Sequence, residues 1–150
     1  MTQTTRYIKP GRFAARLNGS IGWLARRGIS LAGAADLAVL GRKSGEWRRV
    51  PVNPLDFEGG QYLVSARGVS EWVRNMRAAG GGRLRVGRHV REFTAQEMAP
   101  AETTEILRAY LERWGWEVKN YFGDVTATST DEELLAAAPL HPVFRITATS

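Results

Sequence analysis

The sequence has no cysteine and only two histidines among its 150 residues. Without thiols there is no disulfide framework, thiolate metal site, iron–sulfur cluster or thiol nucleophile. His89 and His141 lie far apart with no paired-carboxylate spacing around either, which argues against a histidine metal site or a Ser-His-Asp triad, so both read as structural. No apolar run approaches the roughly 20 residues of a membrane span, and the opening Met1-Thr2-Gln3-Thr4-Thr5-Arg6 lacks the apolar centre of a signal peptide. A cytoplasmic protein is the expectation. No G-x-G-x-x-G follows a strand, and no internal repeat or low-complexity tract is present.

What is there is ordinary in amount and uneven in placement. Hydrophobic residues make up 43% and charged residues 24%, and the chain is long enough for one core, so residues 1–150 are expected to form a single domain. The net charge is +6, yet residues 1–91 hold 17 Lys and Arg against 5 Asp and Glu, while residues 92–150 hold 4 against 10. A cationic N-terminal portion fits an anionic partner: nucleic acid, a membrane surface or a phosphorylated small molecule.

Residues 12–27 read as an amphipathic helix with Phe13, Leu17, Ile21 and Leu24 on one face, packed on the domain or resting on an anionic membrane. A small-residue linker follows, so residues 1–35 form a helix and connector. Residues 37–40, 47–57 and 62–66 are strand candidates, with Pro51 and Pro54 marking the second as an edge or bulged strand. Ser70 is placed as the N-cap of a short helix carrying Trp72, Val73 and Met76 on one side, ending at Gly80-Gly81-Gly82. A hairpin turning near Gly87-Arg88 comes next, its Arg83 and Arg85 face solvated or anion-facing. Thr103 is placed as the cap of the strongest helix, whose Ile106, Leu107, Tyr110, Leu111 and Trp114 repeat at core spacing. Thr130 to Glu133 matches a capping box for a helix through Ala138 stopped by Pro139, and residues 141–146 read as a last strand. Antiparallel strands with inserted helices make an α+β domain.

The most telling stretch is Gly41-Arg42-Lys43-Ser44-Gly45, a basic turn between two strands. Its two cations and one hydroxyl are donors for an anion, although charged hairpin turns are often merely solvated. It is not a Walker loop, because Arg42 rather than Gly precedes Lys43 and a strand rather than a helix follows. With no nucleophile, metal cluster or acid pair, redox chemistry requires a cofactor that carries the reactive atom. The run Tyr62-Leu63-Val64-Ser65-Ala66, followed by Arg67, suits a flat ring lying against backbone groups, with Arg67 offered to a ring carbonyl.

The order Leu-Gly-Arg-Lys-Ser-Gly, Arg48, Val50-Pro51, Gly59-Gly60, residues 62–66, Trp72 with Asn75, and a closing His141-Pro142-Val143-Phe144-Arg145 resembles the deazaflavin-dependent nitroreductase family over roughly residues 36–146. The resemblance implies a split β-barrel, flavin-reductase-like, with mostly antiparallel strands, an N-terminal helix and C-terminal helices. It also implies hydride transfer from reduced coenzyme F420 to an electron-poor small molecule such as a quinone, enone or nitro compound. Arg42, Lys43, Ser44, Gly45 and Arg48 match the family's segment for the anionic phosphate and polyglutamate tail. Pro51, Leu63, Val64, Ser65, Ala66 and Arg67 match segments lining the ring, with Trp72 and Asn75 beside them. Tyr121 is the nearest candidate for a proton donor. The chain departs from the family in its short Gly68-Val69-Ser70-Glu71 loop, which lacks a Pro before the Trp, and in having Ala79-Gly80-Gly81-Gly82 where relatives often have Asn-Pro.

Two other readings stay open on sequence alone. One keeps the fold but makes it a non-catalytic carrier of a deazaflavin, of a flavin such as FMN, or of a lipid-like ligand. The other, a nucleic-acid-binding module resting on Arg83, Arg85, Arg88 and Arg91, has no supporting motif, so no nucleic-acid partner is expected. A monomer or homodimer is anticipated, cytoplasmic with peripheral membrane contact through residues 12–27 as an option.

Overall fold

The computed structural model describes residues 35–149. The anticipated helix at 12–27, and with it the membrane-contact reading, lies outside the described residues. Within them, seven strands form one antiparallel sheet: β1 (Ala35–Leu40), β2 (Trp47–Val52), β3 (Leu55–Phe57), β4 (Gly60–Val64), β5 (Gly81–Val86), β6 (His89–Glu97) and β7 (Val143–Ala148). Their spatial order is β2-β1-β5-β6-β7-β4-β3. Three helices are set among them: α1 (Glu71–Ala79), α2 (Thr104–Val118) and α3 (Asp131–Ala137).

The expected single strand over 47–57 is two strands, broken at Asn53-Pro54, and the two halves are the opposite edges of the sheet. Pro54 has no amide hydrogen to continue a ladder, and Pro51 sits on an edge strand, where a missing donor costs nothing. The break also dictates shape. A flat sheet of seven strands at about 4.8 Å spacing would hold its edges nearly 30 Å apart, whereas three peptide units from Val52 to Leu55 span at most about 11 Å. The sheet therefore curls until the end of β2 and the start of β3 come within that reach, giving an open half-barrel.

Strand alternation supplies two cores. Leu37, Val39, Leu63, Leu84, Phe93, Phe144 and Ile146 pack under α1 through its Val73 and Met76. On the other face Tyr62, Val64 and Val143 meet Ile106, Leu107, Tyr110, Leu111 and Trp114 of α2 and Leu134 of α3. Adjacent residues of one strand, Leu63 and Val64, thus serve different cores. His141 is buried in the second region, its ring stacked 3.8 Å from that of Phe122 and its Nδ1 3.2 Å from the Ser65 carbonyl oxygen, a structural placement.

The turns follow their local chemistry. Glu58 and Gly59 take φ of 49° and 83°, the two positive angles of a tight hairpin between β3 and β4. Gly80 ends α1 in the left-handed conformation at φ 73°, its N–H bonded to the Met76 carbonyl. Gly81 and Gly82, expected to share in that stop, instead begin β5, where the backbones crowd: a Cβ on Gly82 would lie 2.5 Å from the Ala38 carbonyl oxygen.

Helix capping divides in an informative way. Thr130 and Glu133 form the full capping box, with bonds of 3.1 and 2.9 Å, although α3 stops at Ala137 and Pro139 sits in the 3-10 turn Ala138–Leu140 that continues from it. Thr103 occupies the cap position of α2, yet its hydroxyl donates back to the Pro100 carbonyl at 2.9 Å. Ser70 occupies the cap position of α1 and makes no cap bond; its hydroxyl is buried and has no hydrogen-bond partner. The cap preference of hydroxyl residues puts both side chains in place, but local packing decides where the oxygen turns.

Three substitutions check this account. In urea denaturation Thr130→Ala is expected to cost about 1 kcal/mol, the usual value of a cap, while Ser70→Ala changes stability by less than about 0.5 kcal/mol because no bond is lost. Gly82→Ala is expected to cost about 1–3 kcal/mol through overpacking against a backbone that cannot withdraw.

Candidate functional site

The free edge of β2, the segment after β4, the first turn of α1 and the last turn of α2 enclose an open cavity of about 570 Å³. That size lies within the roughly 300–1,000 Å³ of small-molecule sites. Its long wall is β2, so the cavity runs from the β1–β2 turn to Asn53, and its two ends differ in chemistry.

The first end is the basic turn. Gly41 donates its N–H to the Glu46 carbonyl at 2.8 Å, Gly45 donates to the Gly41 carbonyl at 2.9 Å, and the Ser44 oxygen accepts the Glu46 N–H at 3.1 Å. Gly45 has φ 72°, a conformation in which a side chain is strained, and it shapes the turn without lining the cavity. Asn75, only 4% exposed, fixes the turn to α1: its Oδ1 accepts the Arg42 N–H at 3.1 Å and Arg42 Nη1 at 2.8 Å. The same Nη1 donates to Glu71 Oε1 at 2.9 Å. That bond, and then the Arg42 charge, hold the Glu71 carboxyl below the ordinary carboxylate range, with Arg74 and Lys43 adding to it. Lys43, Arg48 and Arg49 are exposed along the same stretch of wall.

The second end is aromatic and of mixed charge. Tyr121 lies in the 3-10 turn that follows α2, and its hydroxyl oxygen accepts Arg67 Nη2 at 3.3 Å while the guanidinium sits 5.1 Å from the ring centre. Asn53 Nδ2 donates to Glu117 Oε2 at 3.3 Å. Burial chiefly, and the Glu117 charge after it, push the Tyr110 phenol well above its ordinary pKa, so it stays protonated at any physiological pH; a hydrogen bond with Asn53 opposes the shift.

Between the ends lie Pro51, Val64, Ser65, Ala66 and Trp72, whose ring leans on Phe144 at 5.8 Å between centroids. Both main-chain groups of Ser65 are engaged, its N–H with the Pro142 carbonyl and its C=O with His141, so contact from this segment falls to Ala66 and the Arg67 side chain. Leu63 does not border the cavity; alternation turns it into the core under α1.

The fold thus gathers Arg42, Lys43, Ser44, Arg48, Pro51, Val64, Ser65, Ala66, Arg67, Trp72, Asn75 and Tyr121 around one cavity from five separate segments. Sequence reasoning missed Asn53, Ser70, Glu71, Tyr110 and Glu117, which also line it. Ser70 was visible only as a cap and Tyr110 only as a core position. Among the described residues no helix is long and apolar enough to cross a membrane, and no group of three His, Asp or Glu side chains is placed to hold a metal ion.

Comparison with solved structures gives relatives of the same fold at low identity. One, described as a domain-swapped dimer, is 20% identical with a TM-score of 0.53, covering 77% of this chain and 80% of that one. An F420-H2 dependent reductase (FDR-A) is 20% identical with a TM-score of 0.51, covering 77% of this chain and 94% of its own. A nimC/nimA family protein from Clostridium acetobutylicum is 16% identical with a TM-score of 0.51, covering 77% of this chain and 74% of that one. No curated protein matches the chain significantly. The family model described as F420H(2)-dependent quinone reductase matches residues 12–135, most of the sequence. The chain therefore belongs to the F420H2-dependent quinone reductase family, and it is an oxidoreductase whose cofactor is coenzyme F420.

Proposed function

We propose that the cavity holds reduced coenzyme F420 with its phosphate and polyglutamate tail at the basic turn and its ring between Ala66 and Trp72, and that the acceptor is a neutral, electron-poor quinone entering beside Tyr121. The observation that carries this reading is the polarity of the cavity: Arg42, Lys43, Arg48 and Arg49 at one end, aromatic and apolar side chains beyond. The donor set fits the group. A tail bearing several anionic oxygens matches guanidinium and ammonium donors held on a preorganised turn, and Ser70 adds a buried hydroxyl still lacking a partner on the same wall.

When bound, the cofactor supplies a hydride, and the chain's own residues bind, orient and exclude water. Asn75 keeps Arg42 aimed along the wall, so no order has to be gained there at the moment of binding. Trp72 and Pro51 give the ring flat apolar neighbours. Arg67 donates to the Tyr121 oxygen, which holds the phenol in place as proton donor to a reduced acceptor. Tail contacts act equally in ground and transition states, so they set affinity; Tyr121 acts only as the acceptor takes up charge, so it sets turnover.

Two experiments separate the roles. In fluorescence titration with oxidised F420, the Arg42→Ala/Lys43→Ala variant is expected to bind at least about tenfold more weakly, as the loss of charge-assisted bonds demands, while kcat at saturation stays within about twofold. Wild-type affinity in that variant excludes the tail site. For Tyr121→Phe the expectation is reversed: kcat with a benzoquinone acceptor falls at least about tenfold, within the range of general-acid effects, and F420 affinity is unchanged. Undiminished kcat excludes Tyr121 as the proton donor.

A further inference from the structure

The Arg42 guanidinium has two acceptors of opposite character. Asn75 is 4% exposed and takes both the Arg42 side chain and its main-chain N–H, so this partner is fixed. Glu71 takes the same Nη1 from the other side with its side chain 71% exposed, against 23% for Arg42. An exposed ion pair costs little to break, because water takes over both groups. One partner therefore positions the arginine while the other can leave.

The partner that can leave is a carboxylate, the chemical group that a glutamyl tail would present to this turn. Glu71 is also the residue through which α1 brings negative charge into an otherwise cationic end of the cavity; the remaining carboxylate of the wall, Glu117, belongs to the opposite end. We propose that Glu71 is a built-in counter-anion that a phosphate or carboxylate of the tail must displace from Arg42, making binding an exchange of anions. The proposal rests on the tail site assigned above.

Exchange has a consequence for selectivity. A ligand with one carboxylate replaces one Arg42 contact with an equivalent one and gains almost nothing. A ligand with several anionic groups in line also reaches Lys43 and Arg48, for which Glu71 offers no competing contact of its own, and so keeps a net gain. Glu71 thereby raises the threshold for small monoanions and leaves the turn selective for a polyanionic tail. Once displaced, its charge still opposes the tail, so removing that charge strengthens tail binding by both routes.

The test is Glu71→Gln, an exposed and isosteric change, titrated by deazaflavin fluorescence with oxidised F420 and with its tail-free 8-hydroxy-5-deazaflavin riboside. The expected result is a Kd for F420 lowered about two- to fivefold, the span of an exposed ion pair, with the riboside unchanged. In an Arg42→Ala background the same substitution is expected to give a smaller gain, because only the repulsion route remains; a gain undiminished there overturns the exchange. F420 that binds the wild-type protein but binds Glu71→Gln equally or less tightly overturns the inference and leaves the tail site standing. Wild-type protein that binds F420 no better than the riboside overturns the tail site and the inference with it.

Discussion

Two residues, Asn53 and Pro54, join the opposite edges of a seven-stranded sheet, and that short tether forces everything else into place. Because they are too few to cross a flat sheet, the sheet must curl, and because Pro54 cannot donate, the ladder cannot run through the corner. The curl leaves β2 as an edge with one side unpaired. An unpaired edge is ordinarily a hazard for aggregation; here Arg48 and Arg49 on β2, together with Pro51, keep it from templating another strand. The same features that blunt the edge give the cavity its cationic wall.

The two ends of the cavity depend on different parts of the scaffold. The basic turn is a hairpin tip, which would be mobile if left alone, but the buried Asn75 ties it to the middle of α1 through two bonds to one residue. Tyr121 and Glu117 sit at the end of α2, whose position is set by the larger core around Tyr110, Trp114 and Leu134. The distance between the two ends of the cavity is therefore set by the sheet and by two helices in separate cores. A change at one end should be felt at the other only if it alters the curl.

Much of this was legible in the sequence. Alternation of apolar residues gave the hairpins, and glycine or proline at the corners gave their turns. Residues of the cavity wall were legible where ordered motifs carry them, as at Arg42, Lys43 and Trp72. What could not be read were contacts between segments. Glu71 in sequence is an acidic residue in the first turn of a helix, as the helix dipole favours; nothing local shows a partner 29 residues upstream. Ser70 in sequence is a cap, and its unpaired hydroxyl depends on how the short loop before it packs. The unbroken strand expected over 47–57 fails for a related reason, since proline signals an edge but not which of two edges each half joins.

Ser70 and Glu71 show what the short loop does. In the short loop before Trp72 the chain has a hydroxyl at Ser70, and the next residue is a carboxylate that reaches Arg42. A proline there would have fixed the entry to α1 and offered no polar group to the cavity. The loop as it stands puts an unpaired hydroxyl and a carboxylate on the cavity wall at the start of α1. The residues that start this helix are thus also those that give the wall its buried unpaired hydroxyl and the carboxylate at its basic end.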